Sequence, residues 1–292
     1  MMELSSELGG SLITGAIALL ALWVGQRSRF FTIPQDPVWK PPVLLWQVIV
    51  VFAIYFGVAL FIAPAVAKIL KPLFQGGSTG INYLSWLNLI TSCTIMGGLL
   101  LFYKQALPTE VQKNVWKSPH LSTSYLDDAK GGFYCWLIAF PLVLSISQLL
   151  DIIVYLLFKI PKLPDQIAVY FVKMTFSHPL YFAMAILTIV FLAPLIEEIL
   201  FRGFLQTFIH KHLGSKQAIL ITSVCFSFFH YSSEQGLANI PIVGSLFSLA
   251  LFLGFIYEKK RSLFAPISLH AIFNGISILN LYFLEGIPHG AL

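Results

Sequence analysis

The sequence predicts an all-α fold, a polytopic transmembrane helix bundle of about eight membrane segments around a polar intramembrane cavity. Three observations carry this prediction. Of 292 residues, 57% are hydrophobic and only 11% charged, where soluble globular chains carry about 25% charged residues. Apolar runs of about 20 residues recur along the chain, the length needed to cross a bilayer as a helix. The runs lack the in-out alternation of barrel strands, and lipid leaves only helices or closed barrels as spanning structures.

The apolar segments lie at roughly 11–26, 43–67, 84–103, 133–158, 180–209, 217–231, 239–257 and 263–284. The first has Glu3 and Glu7 ahead of it and Arg27 and Arg29 behind it. That order lacks the basic start of a signal peptide and predicts a retained helix with its N-terminus outside. The fifth is long enough to tilt, to break, or to end before its glutamates in a separate helix, and the sixth is short. With the loops alternating from an outside N-terminus, Lys68, Lys71, Lys159, Lys162 and Lys173 fall on one side and the other thirteen Lys and Arg on the opposite side. Lys and Arg gather in cytoplasmic loops. The loops at 27–42, 104–132, 210–216 and 258–262 are therefore predicted cytoplasmic, with both termini outside.

Two stretches are more polar than the spans. The 104–132 loop, with Lys104, Glu110, Lys113, Lys117, Asp127, Asp128 and Lys130, predicts a cytoplasmic connector with an interfacial helix. Between Pro164 and Pro179, Ile167 to Phe176 predicts a helix lying on the outer surface. Residues 1–130 are thus expected to supply N-terminal membrane segments and the connector, and 131–292 a second group of membrane segments. No internal repeat, low-complexity tract or nucleotide motif is evident. Cys93, Cys135 and Cys225 sit in separate apolar segments without C-x-x-C spacing, which reads as helix packing. The net charge of +5 is explained by topology, and no nucleic-acid partner is implied.

The chemistry concentrates in the last four segments. Glu197, Glu198 and Arg202 stand inside an apolar run, where each charge near the bilayer centre costs about 2.5–3.5 kcal/mol on insertion scales. Glu198 and Arg202, four apart, share a helix face in the favourable order for an ion pair. Glu197 is turned about 100° away and faces something else. This assigns structural support to Glu198 and Arg202 and makes Glu197 the working carboxylate. Segment six ends Phe226-x-x-x-His230, and segment eight carries His270-x-x-x-Asn274, again on one face. Water, a carboxylate base and imidazole and amide donors for an oxyanion suffice to hydrolyse an amide without a covalent intermediate.

These three motifs, Glu197-Glu198-x-x-x-Arg202, Phe226-x-x-x-His230 and His270-x-x-x-Asn274, resemble those of the CPBP (CAAX protease and bacteriocin-processing, or Abi) intramembrane protease family, which includes the type II CAAX prenyl endopeptidases. The resemblance covers about 180 to 282. It implies a cavity open to the cytosol in which Glu197 activates water, His230 assists, and His270 with Asn274 stabilises the oxyanion. It implies membrane lipid as surroundings and a peptide or protein substrate, prenylated in some members. For metal, Glu197, His230 and His270 could supply the three protein ligands of an open zinc site. The lack of H-E-x-x-H and the poor fit of Asn274 as a ligand favour metal-free chemistry.

Bland readings stand beside each of these. Glu197 could snorkel to the cytoplasmic interface, His230 could sit at a wet boundary, and His270 and Asn274 could be interhelical hydrogen-bonding groups. Asp151 reads as a helix–helix or interface group, and His210 and His212 as interfacial anchors. Ser227, Ser232 and Ser233 lack the turn a serine nucleophile needs. Two other function classes compete. An idle binding or immunity protein on the same scaffold needs no base beside oxyanion donors. A proton-coupled transporter would show matched broken segments in two halves.

Overall fold

The computed structural model describes residues 4–33, 42–74, 79–118, 123–160 and 162–283. Its regular structure is helical: α1 (Leu4–Arg27), α2 (Leu45–Leu73), α3 (Thr79–Ala106), α4 (Thr109–Trp116), α5 (Tyr125–Phe158), α6 (Ile167–Thr175), α7 (Pro179–Leu213), α8 (Ser215–Phe229), α9 (Asn239–Lys260) and α10 (Phe264–Leu281). Seven described helices are long and apolar enough to cross a membrane: α1, α2, α3, α5, α7, α9 and α10. The remaining expected segment, the sixth, is α8, which at 15 residues is shorter. The protein is a multi-pass integral membrane protein. The short α4 and α6 fall where the sequence placed an interfacial and a surface helix.

Contacts divide the chain into two compact units. The first comprises 1–40, 121–166 and 209–269; the second comprises 41–120, 167–208 and 270–292. Helices α7 and α10 contribute to both.

In the first unit α5 packs against α1 and α9, and α9 also against α8. Helices in lipid gain little from burying apolar surface, so small residues that let backbones approach carry much of the packing. At Gly132 of α5 an added Cβ would lie 2.3 Å from the Ala265 carbonyl oxygen and 2.9 Å from the Leu269 nitrogen, both in α10. Backbone cannot swing aside, so Gly132→Ala is expected to cost about 1–3 kcal/mol through forced helix separation. Thermal unfolding in detergent measures it. Gly131→Ala meets only the flexible end of Lys260 at 2.6 Å and should cost less.

Polar ties complete this unit. Thr14 donates to Gln148 at 2.7 Å. Lys259 reaches the Phe30 carbonyl, and Lys260 the Asp127 carbonyl. Glu258, fully buried, takes Arg261 at 2.6 Å and His210 at 3.1 Å. His210 therefore has a protein carboxylate partner.

In the second unit α3 packs against α2, α6 and α7. Both α2 and α7 contain a wide π-type turn, Val58–Ile62 and Leu187–Leu192, each followed at once by Ala-Pro: Ala63-Pro64 and Ala193-Pro194. Proline has no N–H, and its ring clashes with the carbonyl four residues back. Widening the preceding turn to the i−5 register relieves that clash. Accordingly Ala63 N–H donates to the Val58 carbonyl and Ala193 N–H to the Thr188 carbonyl. The surrounding sequences, Phe61-Ile-Ala-Pro64 and Phe191-Leu-Ala-Pro194, are a short recurrence missed by the reading of no repeat. Helix α7 is therefore continuous through the glutamates, widened where the sequence allowed for a break.

Candidate active site

Helix α7 presents the carboxylates from Ala193–Glu198, a short α-helical stretch between two wide turns, the second at Ile199–Gln206. Wide turns of this kind occur often at functional sites. They rotate the following side chains off the regular helical faces. They also release carbonyls from the ladder, and in lipid each released carbonyl needs a donor. Two side chains supply them. Thr207 Oγ1 donates to the Arg202 carbonyl at 2.8 Å. Asn274 Nδ2, from α10, donates to the Ile189 carbonyl at 2.9 Å.

The second bond follows directly from Pro194. In the i−5 register the carbonyl matched to residue 194 is that of Ile189, and proline has no hydrogen to give it. Asn274 provides that hydrogen across 85 residues of sequence. Asn274→Leu is expected to strand the Ile189 carbonyl and cost about 1–3 kcal/mol, read as a lower unfolding temperature in detergent. Asn274→Asp, which keeps the shape but offers no donor when ionised, should do no better.

The ionisable groups form one chain of contacts within the second unit. Arg202 pairs with Glu198: Nη1 donates to Oε1 at 3.2 Å, and Nε lies 3.2 Å from Oε2. Both side chains are 0% exposed. The i,i+4 pair expected from sequence is present. Glu198 does more than pair, however, because its Oε1 also lies 2.8 Å from His270 Nδ1. A carboxylate bound to arginine only accepts, so Nδ1 carries the hydrogen and donates it. That fixes the imidazole tautomer and leaves the lone pair of the neutral ring on Nε2. His270 Nε2 faces Glu197 Oε2 at 3.9 Å. This is longer than a hydrogen bond, with Glu197 14% exposed and the His270 side chain 6%.

Residues 179–276 match a family model: type II CAAX prenyl endopeptidase Rce1-like. The match to this Rce1-like family spans about a third of the chain and contains all seven motif residues, Glu197, Glu198, Arg202, Phe226, His230, His270 and Asn274. No curated protein and no solved structure matches the chain. Outside the Rce1-like match lie α1 to α6, including both short helices between the spans.

His230 belongs to the first unit, at the C-terminus of α8. Its backbone N–H bonds the Ser227 carbonyl at 3.2 Å, so the helix does not continue. Its ring Nδ1 donates to the Phe226 carbonyl at 2.9 Å, one of the carbonyls a helix end leaves over. This selects the same tautomer as in His270, with the lone pair on Nε2.

A zinc site was one option for Glu197, His230 and His270. Among the described residues no group of three His, Cys, Asp or Glu is disposed to hold a metal ion. Glu198 is already taken by Arg202 and His270.

Sequence reasoning missed the second partner of Glu198. A helix-face argument sees only neighbours on the same helix, and no local signal marks a contact across 72 residues.

Proposed function

We propose that the protein is an intramembrane endopeptidase that hydrolyses a peptide bond near the cytoplasmic face by glutamate-activated water. The observation supporting this most strongly is the Arg202–Glu198–His270–Glu197 chain inside two membrane-spanning helices, ending in a carboxylate and an imidazole that face one another.

In this reading a water beside Glu197 gives up a proton to the carboxylate as its oxygen attacks the scissile carbonyl carbon. His230 assists in orienting that water. The tetrahedral intermediate carries its negative charge on the former carbonyl oxygen, which Asn274 stabilises through the amide hydrogen not used on Ile189. Neutral His270 has no hydrogen on Nε2. It becomes a donor by receiving the proton from Glu197, and then stabilises the oxyanion or passes the proton to the leaving amine. Carbon–nitrogen cleavage releases the amine and a carboxyl group, and no metal enters any step. Glu198 holds His270 in the tautomer this requires, and Arg202 holds Glu198.

The substrate class suggested by the Rce1-like match is a membrane-borne protein tail ending in a prenylated CAAX motif. The test uses full-length protein in proteoliposomes with a prenylated and an unprenylated CAAX peptide, the products being mapped by mass spectrometry. A single cut that is lost in Glu197→Ala is expected, with chelator leaving the rate unchanged. Cleavage that persists in Glu197→Ala, or that requires added zinc, would overturn the mechanism. Cleavage of the unprenylated peptide alone would overturn the substrate class.

A further inference from the structure

We infer that Asn239 is a positioning residue for His230, a role that rests on the proposed catalytic part of His230. The chain leaves α8 at His230, makes a short 3₁₀ segment at Ser233–Ala238, and begins α9 at Asn239. Asn239 is buried, 7% exposed, and its carboxamide makes three hydrogen bonds. Its Oδ1 accepts from Ser232 N–H at 3.1 Å. Its Nδ2 donates to the Ser232 carbonyl at 2.7 Å and to the Gly236 carbonyl at 3.0 Å.

Asn239 is the first helical residue, one beyond the N-cap Ala238, so its side chain is not committed to capping its own helix. Asn239 bonds backward instead, and every bond goes to the loop that begins two residues after His230. It clasps both backbone groups of Ser232, one peptide beyond the His230–Tyr231 link, whose N–H bonds the Phe228 carbonyl at 3.1 Å. The loop has two further ties. Gln235 N–H bonds the Ser232 carbonyl at 3.1 Å, and Gln235 Nε2 donates to the Asp165 carbonyl at 3.2 Å. Gly236 turns the chain with φ +50° and ψ −125°, a conformation that L residues adopt only with strain.

The consequence falls on the imidazole. His230 is no longer helical in its hydrogen bonding, and its ring donates to the Phe226 carbonyl only while residue 230 keeps its φ of −95° and ψ of 2°. Without the Ser232 clasp the residue can rotate, the ring bond is lost, and both imidazole tautomers become available. Nε2 then no longer presents a lone pair in a fixed direction.

The test is a double-mutant cycle on full-length protein in proteoliposomes, with the cleavage assay above. Asn239→Ala is expected to lower kcat roughly 10- to 100-fold, the effect of misplacing a catalytic group by about an ångström, and to leave KM within about twofold. In a His230→Ala background the same substitution should change nothing further. Gly236→Ala attacks the loop independently, since no atom lies within 4 Å of the added Cβ and only the backbone is strained. It should show the same dependence on His230. In parallel, nitrogen-15 spectra of labelled histidine should show His230 with hydrogen on Nδ1 in the wild type and a tautomer mixture in Asn239→Ala. Additive losses in the cycle, or an unchanged His230 spectrum, overturn the inference while leaving the hydrolase reading intact. Wild-type rates in His230→Ala overturn the catalytic role of His230 itself, and the inference with it.

Discussion

Glu197→Gln is expected to abolish cleavage while leaving the protein folded. The substitution keeps volume and shape and removes the ability to take a proton from water, a contribution of about 10²–10⁴ in rate for a positioned general base. Folded yield should hold better than in Glu198 variants, because Glu198 makes the direct hydrogen-bonded pair with Arg202. Glu197→Asp retains the charge but withdraws it by about one methylene, lengthening the 3.9 Å approach to His270 Nε2. It should fall between wild type and Gln. Initial rates in proteoliposomes, with unfolding temperature as control, measure both. Equal rates for Glu197→Gln and wild type would leave the proposed chemistry without its base.

Glu198→Gln is expected to damage stability and chemistry together, for separable reasons. A neutral amide leaves the Arg202 guanidinium buried without its counter-charge, and breaking a buried pair from one side costs about 3–5 kcal/mol. The amide oxygen still accepts from His270 Nδ1, but a neutral acceptor makes a bond of roughly half the strength of an ionised one. The double variant Glu198→Gln with Arg202→Met separates the two effects. Removing both charges of a buried pair is often neutral for stability, so the folded yield should recover. Activity should not, because His270 has lost the ionised group that orients it. Full recovery of rate in the double variant would reduce Glu198 to a purely structural partner of Arg202.

Much of this was legible in the sequence for a local reason. Apolar runs of bilayer length specify spanning helices because each helix closes its own backbone hydrogen bonds. The Glu198–Arg202 pair followed from helical spacing, and the short helices at 109–116 and 167–175 from the polar or proline-bounded stretches that contain them. The wide turns were legible in principle, since both precede Ala-Pro. The physical signal is the missing proline N–H rather than hydrophobicity, and a search of apolar runs passes over it. Likewise Asn239 had no local mark, because its partners are backbone groups of a loop whose path no side-chain pattern reveals.

By itself, then, the sequence determined the membrane environment, the approximate number and rough limits of the spans, and the polar residues that form the candidate site. Only the tertiary structure decided their assignments. Glu198 serves Arg202 and His270 at once, and one Asn274 hydrogen goes to the carbonyl that Pro194 leaves unmet. Bonds within a turn of helix are set by backbone geometry and can be read from spacing. Bonds between α7 and α10 depend on how two helices pack in lipid. There the choice of facing residues is made by close van der Waals fit and by the need of each released polar group for a partner.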